Sequence, residues 1–171
     1  MAASLASQLK PLALFGGLTA EDLFPSNNLV MIAWALLVFA PRWKWTPSIT
    51  LASTILHSII FMGTAISTMM DDEPSPDVDF SSLEGVHGMM SDPTNSFAIW
   101  LHMVIFDLIV VRMMVLDSVD RGASTLFHCA AMVPCILLTF VMGPVGFVLY
   151  LGLRQVFLMS KSNPSGKDKM L

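Results

Sequence analysis

Long apolar stretches without any charge dominate the hydrophobic pattern of the chain. A helix that spans a bilayer needs about 20 mainly apolar residues, and four stretches meet this requirement. The pattern therefore predicts an all-α fold, an integral membrane four-helix bundle with no internal repeat and no second domain. The predicted helices occupy residues 23–41, 45–70, 94–116 and a fourth stretch within 122–153.

The fourth apolar stretch contains residues that disturb a helix. Pro134 and the pair Gly143-Pro144 interrupt it. Proline removes a backbone donor and its ring clashes with the preceding turn, so sharp bends concentrate at such positions. The sequence therefore predicts a kink or a break within the fourth span.

Polar connections separate the predicted spans. Residues 41–45 (PRWKW) combine a helix breaker, two positive charges and two tryptophans, which is typical of the headgroup level of a membrane. Residues 71–92 form an acidic loop between the second and third helices. Its second half predicts a short interfacial helix over 80–90, with Ser81 or Ser82 as the N-cap.

The same pattern divides the chain into three parts. Four spans place both termini on one side of the membrane, together with the acidic loop. With this arrangement, the segments on the side of the tail contain slightly more Lys and Arg than the loops on the opposite side of the membrane. The three parts are an N-terminal segment at the interface, a four-helix membrane domain and a polar basic tail, over residues 1–22, 23–155 and 156–171.

Composition excludes several classes of protein. The chain has 171 residues, of which 54% are apolar and 13% are charged, whereas an average soluble domain is about 25% charged. A mean hydropathy of +0.69 excludes a soluble enzyme and a disordered chain. The net charge is −4, and residues 45–111 contain eight acids and no Lys or Arg. This excludes a nucleic-acid-binding protein, which requires a basic surface, and leaves the lipid bilayer as the expected surroundings.

Only the third predicted span contains charged side chains. Charges within a span are costly and mark either a function or an ion pair. At 100° per residue, His102 and Arg112 each lie about 140° around the helix from Asp107. No single face therefore carries all three side chains. Asp107 instead shares a face with Trp100 and Met114, each seven residues away.

A site around Asp107 would therefore need side chains from neighbouring helices or loops. Two interpretations are open. Asp107 is either part of a functional site, or it forms a packing pair with Arg112 or a histidine. The candidates for completing such a site are His57, Glu84, His87 and His128.

Motifs for nucleotides, esterase chemistry and metals are not found. The chain has no Gly-x-Gly-x-x-Gly, phosphate loop or Gly-x-Ser-x-Gly. Glu84 and His87 have the Glu-x-x-His spacing of di-iron bundles, but those bundles need a second such motif and two further glutamates. We expect neither a metal nor a cofactor.

Three blocks of sequence resemble the ABA4-like family, the membrane proteins named for abscisic-acid-deficient plants. The first is APRWKWT at residues 40–46, and the third is PCILL at 134–138 followed by GPVG at 143–146. The second begins with FSSLE at 80–84 and is the most specific. It continues through Asp92-Pro93, Trp100, His102, Asp107, Arg112 and Asp117. The resemblance covers about residues 23–155.

The resemblance implies a reaction. Plant members of the family are associated with the formation of neoxanthin from violaxanthin, an isomerisation of a carotenoid epoxide to an allene without net redox change. Such a protein would be an intramolecular isomerase or an essential component of one. It would need a base, Asp107 or Glu84, and a group for the epoxide oxygen, His102 or Arg112. Trp100, His87, His57 and Asp117 are the further candidates for contacting the xanthophyll.

Two other functions remain open at this point. The protein could be a non-catalytic xanthophyll-binding or assembly protein that works with a protein partner in carotenoid synthesis. A small transporter is the third hypothesis, and it rests on Asp107 and the break at Gly143-Pro144. The resemblance implies a plastid membrane, thylakoid or envelope, for an algal or plant protein, and the inner membrane for a bacterial one.

Overall fold

The computed structural model of the chain describes residues 9–70 and 79–158. Four helices in this part of the chain are long and apolar enough to cross a membrane, which confirms the predicted all-α bundle. At 1.5 Å per residue, their 18 to 28 residues correspond to about 27 to 42 Å. In order along the chain they are α1 (Ala20–Phe39), α2 (Thr46–Met69), α4 (Pro93–Asp120) and α5 (Thr125–Met142), with a short helix α3 (Leu83–Ser91) before α4 and a helix α6 (Pro144–Phe157) after α5.

Side-chain caps explain where several helices begin. Thr19 and Asp22 form a reciprocal capping box at the start of α1. Ser82 accepts a hydrogen bond from the Gly85 N–H at 3.1 Å and starts α3, so the predicted short helix and its cap are confirmed, with the helix at Leu83–Ser91 rather than 80–90. Asp92 caps α4 by accepting from the Asn95 N–H at 2.8 Å, with Pro93 in the first turn, where it needs no donor.

The chain before α1 packs on α2. The Leu14 N–H donates to Ser67 Oγ at 3.2 Å, Leu12 is buried, and the Phe15 ring lies against Gly63. Residues 9–19 therefore pack against the bundle. Residues 20–22 of the predicted N-terminal segment belong to α1. Residues 1–8 lie outside the described residues, as do residues 71–78 of the predicted acidic loop and 159–171 of the predicted tail.

Helix α4 is the centre of the bundle. Leu108, Val111 and Met114 are almost completely buried. They pack in one cluster with side chains of α1, α5 and α6. A second cluster, nearer the start of α4, joins Phe97 and Leu101 to α1 and α2. Helices α1 and α4 are parallel and are joined by both clusters. Phe24 contacts Phe97 near the start of the two helices, and Arg42 donates to the Ala123 carbonyl just beyond their ends.

The fourth apolar stretch does not form one continuous span. A π-helical turn over His128–Met132 precedes Pro134, and the chain reverses at Gly143, whose φ of 53° is in a region that favours glycine. Helix α6 then returns along α5, so that Phe157 packs beside Phe127 at a ring distance of 6.2 Å. The predicted break is confirmed, and it is a complete reversal.

This reversal corrects the predicted placement of the termini. The turn at Gly143 lies beside Asp107, in the middle of α4, because a Cβ on this glycine would be 3.8 Å from Asp107 Oδ1. The chain therefore leaves α6 at the end of the bundle where α5 began. The described ends of the chain therefore disagree with the prediction that both termini lie on the side of the acidic loop. Residues 9–19 lie on that side, whereas α6 ends on the opposite side, because α5 and α6 form a hairpin rather than a single crossing.

The two ends of the bundle differ in charge. We call the end that carries the α1–α2 connection the basic end, since Arg42, Lys44, Arg121 and Arg154 lie there. We call the opposite end, where α1 and α4 begin, the acidic end. Its described acids are Glu21, Asp22, Asp79, Glu84 and Asp92. Hydrogen bonds from Ser81 and Ser82 lower the pKa of Asp79 to about 2.

Candidate functional site

A pocket opens between α1, α4 and the far end of α5, near the middle of the bundle. Its volume is about 180 Å³ and its lining is mostly apolar. We call it the inner pocket. The side chains that define its chemistry are Asn27, Trp34, Trp100, Met103, Asp107 and Phe140.

Asp107 is the titratable group of the inner pocket. It is partly buried, and within the described part of the chain it forms neither a hydrogen bond nor an ion pair. Trp100 lines the same pocket, in agreement with the face that the sequence predicts for residues seven apart. A carboxylate without a protein partner in an apolar pocket is available to a ligand, and an ionisable side chain that faces the interior of a membrane bundle usually marks a functional site.

Arg112 is turned away from Asp107. Its Nη2 donates to the carbonyl of Pro47 on α2 at 3.3 Å, and its Nε is buried without a partner. Among the described residues there is no Asp107–Arg112 ion pair. The packing-pair interpretation is therefore wrong for this pair, and Arg112 connects α4 to the start of α2.

Asn27 is the second polar side chain of the inner pocket, and it is not among the residues that the sequence predicts for the site. Its Nδ2 donates to the Phe24 carbonyl at 2.9 Å, which fixes the amide, while its Oδ1 is buried without a partner. A buried acceptor without a donor is costly, so this oxygen suits a ligand that brings an O–H or N–H. One feature of the sequence indicates Asn27 as a candidate. It lies seven positions before Trp34, which is the same spacing as between Trp100 and Asp107.

His102 lies on a different face of α4. Its ring stacks on Phe61 of α2, with centroids 5.7 Å apart, and meets Phe106 edge-on at 4.6 Å. The side chain is exposed on the outside of the bundle and does not line the inner pocket. The structure therefore does not bring His102 together with Asp107, as the 140° separation requires.

Two buried histidines cross-link helices through backbone carbonyls. The ring nitrogens of His57 lie 2.7 Å from the Ser53 carbonyl oxygen and 3.1 Å from that of Ser26, so this side chain ties α2 to α1. His128 Nε2 lies 2.9 Å from the Val38 carbonyl oxygen and ties α5 to the end of α1. Both histidines have these protein partners and lie outside the lining of the inner pocket.

Glu84 and His87 belong to the acidic end. Both side chains are exposed on α3, and no described hydrogen bond or ion pair joins either of them to Asp107. In the ranges 9–70 and 79–158, no three His, Cys, Asp or Glu side chains lie close enough together to hold a metal ion.

Asp117 holds together an ionic cluster at the basic end. Its Oδ1 accepts from Arg121 Nε at 2.8 Å, and its Oδ2 accepts from the Tyr150 hydroxyl. Arg154 Nε lies 3.2 Å from the same Oδ2, which is an ion pair without a directed hydrogen bond. Asp117 therefore links α4 to α6, and its carboxylate is occupied by protein groups.

Comparison with known proteins gives one match. The model of a family described as ABA4-like, ABA DEFICIENT 4-like, matches residues 23–150, which is about three quarters of the chain. The matched region begins within α1 and includes both Asn27 and Asp107. No curated protein and no solved structure shows a significant match to the chain.

Proposed function

Since the chain belongs to the ABA4-like family, we propose that it isomerises a xanthophyll epoxide to an allene within the membrane, with Asp107 as the acid–base group. The observation that carries the proposal is the unpaired carboxylate of Asp107 in an apolar pocket whose other polar side chain, Asn27, offers an unpaired acceptor. Violaxanthin, the substrate associated with plant members of the family, is the substrate we propose to test.

The reaction moves one proton and one electron pair within the substrate. A base removes the proton from the vinylic carbon next to the ring, and the electron pair forms a new double bond to the ring carbon of the epoxide. The C–O bond at that ring carbon breaks. The oxygen, still attached to the neighbouring carbon, takes up a proton and becomes a hydroxyl. Atoms and charges balance, so the product is an isomer of the substrate.

A single carboxyl group is sufficient for this sequence. Asp107 takes the proton from the vinylic carbon and is then a carboxylic acid, which can return a proton to the nearby oxygen. Glu84 and His102 were alternatives in the sequence, but neither lines the inner pocket. Asn27 has a separate task in this proposal, because its free Oδ1 accepts from a hydroxyl on the substrate ring and orients the epoxide toward Asp107.

Replacement of Asp107 by asparagine tests the proposal. Asp107→Asn keeps the size of the side chain but removes the base, so the allenic product should fall by at least 100-fold. The measurement is pigment chromatography of a violaxanthin-accumulating host that expresses the protein. The matched control is Asp120→Asn, the same change at the exposed end of the same helix, which should leave product formation unchanged. Equal product from Asp107→Asn, at equal protein in the membrane fraction, would remove Asp107 from the mechanism.

A non-catalytic role in presenting a xanthophyll to a partner enzyme is the second candidate. The favouring observation is that the inner pocket contains one titratable side chain and no second proton donor such as His or Lys. Incubation of the purified protein alone with violaxanthin separates the two functions. Turnover without a partner contradicts the accessory role, and binding without turnover contradicts the enzyme.

A further inference from the structure

Two arginines at the basic end share one carboxylate. Arg121 Nε donates to Asp117 Oδ1 at 2.8 Å, and Arg154 Nε lies 3.2 Å from Asp117 Oδ2. Because both oxygens belong to one side chain, the guanidinium groups from α4 and α6 are held next to each other. We call Arg121 and Arg154 the arginine pair. Two positive charges against one negative charge leave a net charge of +1 in this cluster.

In the described part of the chain, the outer nitrogens of the arginine pair have no partner. Each arginine directs its Nε toward Asp117 and forms no further hydrogen bond or ion pair there. Arg154 Nε is buried, whereas the Nη atoms of both residues remain accessible, and the two side chains are 28% and 30% exposed. Each arginine therefore presents a planar pair of N–H donors at the surface, which is the geometry that binds a phosphate through two parallel hydrogen bonds.

The arginine pair lies at the depth of a lipid phosphate when the middle of α4 is at the middle of the bilayer. Asp107 is in the middle of α4, and Asp117 follows it by ten residues. At 1.5 Å per residue this distance is about 15 Å, which is half of the hydrocarbon thickness of about 30 Å. Arg154 follows Pro144, at the turn beside Asp107, by ten residues as well. Both helices therefore bring the cluster to the boundary between hydrocarbon and headgroups.

An exposed apolar strip continues from the arginine pair toward the middle of α4. Met113 and Phe106 lie four and eleven residues before Asp117, and each is 56% exposed. At 100° per residue, both lie within about 40° of Asp117 around the helix. This strip is a surface along which the acyl chain of a lipid can extend below its headgroup.

The other charges of the basic end favour an anionic lipid over a zwitterionic one. Arg42 and Lys44 add two positive charges, and the described acids of this end are Asp117 and Asp120. Four bases against two acids leave a net charge of +2 among the described residues of this end. Basic sites of this kind, at the ends of membrane helices, attract anionic headgroups. A choline group would add a further positive charge, whereas a glycerol headgroup adds none.

We infer that the arginine pair binds the phosphate of an anionic phospholipid, with Nη groups of Arg121 and Arg154 donating to the phosphate oxygens. Asp117 is a positioning residue, because it turns both Nε groups inward and accepts from the Tyr150 hydroxyl as well. The bound lipid joins the end of α4 to the last turns of α6. The site lies outside the inner pocket, so it does not depend on the proposed function.

Two lipids with identical acyl chains test the inference on the unaltered protein. The probe is dioleoylphosphatidylglycerol, which is anionic, and the comparison is dioleoylphosphatidylcholine, which is zwitterionic. The measurement is native mass spectrometry of the full chain in detergent, which gives the fraction of protein that carries one lipid at each lipid concentration. We expect phosphatidylglycerol to bind at least fivefold more tightly. Equal binding of the two lipids would overturn the inference.

Replacement of one arginine tests where the lipid binds. Arg154→Gln should lower the affinity for phosphatidylglycerol about tenfold, the equivalent of one hydrogen bond to a charged group. Arg154→Lys keeps the charge without the planar donor pair and should still lower the affinity at least threefold. The matched control is Lys44→Gln, which removes a positive charge from the same end where the ammonium group lies 5.5 Å from the Trp45 ring. It should change the affinity less than twofold, and equal losses in Arg154→Gln and Lys44→Gln would show that net charge alone attracts the lipid.

A soluble phosphate distinguishes a lipid site from a site for a free anion. Glycerol 3-phosphate has the same phosphate group without acyl chains, and at equal concentration it should displace less than a tenth of the bound phosphatidylglycerol. Displacement of half or more would overturn the assignment to a lipid. If Arg154→Gln does not fold, Arg121→Gln gives the same test from α4, and normal binding by that variant would contradict the site.

Discussion

Asp107 and Arg112 lie five residues apart on α4 and do not pair. The separation of 140° that follows from helix geometry already excludes a shared face, and the structure gives each residue different surroundings. Arg112 reaches Pro47 on α2, whereas Asp107 faces Trp100 and the α1 side. Neighbours on one helix could therefore be predicted from spacing alone.

Residues contributed by other helices could not be predicted in this way. Asn27 and Trp34 come from α1, and Phe140 from α5. Their positions depend on which helix faces pack together, and a single sequence of uniformly apolar spans carries little information about that. The role of His57 could not be predicted from the sequence either. A buried polar residue in a span is equally compatible with a ligand and with backbone carbonyls, and His57 contacts two carbonyls.

The contacts of His57 lead to a prediction about the replacement of a single residue. His57→Ala should lower the free energy of unfolding by about 2–4 kcal/mol, because it opens a cavity and leaves the Ser26 carbonyl without its partner from α2. The measurement is unfolding in mixed detergent micelles with increasing denaturing detergent. His87→Ala, at an exposed position of α3, is the control and should change stability by less than about 0.5 kcal/mol. Equal stability of both variants would show that His57 does not tie α1 to α2.

The hairpin of α5 and α6 is the element that could be predicted least completely from the sequence. A charge-free stretch over 122–153 is long enough for one tilted span or for two shorter helices. The hydrophobic pattern is the same in both cases. Gly143-Pro144 indicated a break, but the direction after the break depends on the positive φ of Gly143 and on how closely α6 can approach α5. The bounds of α2 and α4, by contrast, follow directly from the charged and proline-bearing residues around them.

Close approach within the hairpin depends on Gly146. A methyl group here would overlap the carbonyl oxygen of Cys135 and the backbone nitrogen of Thr139, and these backbone atoms cannot move aside without separating the helices. Gly146→Ala should therefore destabilise the protein by about 1–3 kcal/mol, the usual cost of overpacking, as measured by thermal unfolding in detergent. Gly152→Ala is the matched control on the same helix, where nothing lies within 4 Å of the added group. It should leave stability unchanged or raise it by up to about 1 kcal/mol. Equal stability of the two variants would show that close contact between α5 and α6 does not depend on Gly146.

The whole molecule is polarised along its axis. Among the described residues, the basic end carries Arg42, Lys44, Arg121 and Arg154, whereas Lys10 is the one base near the acidic end. The count of charges from the sequence assumed a single fourth crossing, whereas the described chain ends with α6 at the basic end. The described residues outside the spans include four Lys or Arg at the basic end and one at the acidic end, so the positive-inside rule predicts that the basic end faces the cytoplasm or its organellar equivalent.

This orientation can be measured with single cysteines. In a variant without Cys129 and Cys135, Glu84→Cys marks the acidic end and Asp120→Cys the basic end, both at exposed positions. In intact bacterial cells with a permeabilised outer membrane, a membrane-impermeant maleimide should label Glu84→Cys. Asp120→Cys should react only after the inner membrane is opened. The reverse pattern would mean that charge does not orient this protein.

The reversal at Gly143 also has a consequence for how the protein is made. Its turn lies beside the middle of α4, and α5 and α6 enter and leave by the basic end. In the orientation that the positive-inside rule predicts, these two helices would enter the lipid as one unit, without export of a polar segment after α4. Export would then be confined to the segment before α1 and to the connection between α2 and α4. That connection lies in the part of the chain that contains no Lys or Arg, so in this orientation the described basic residues of the basic end would not cross the bilayer.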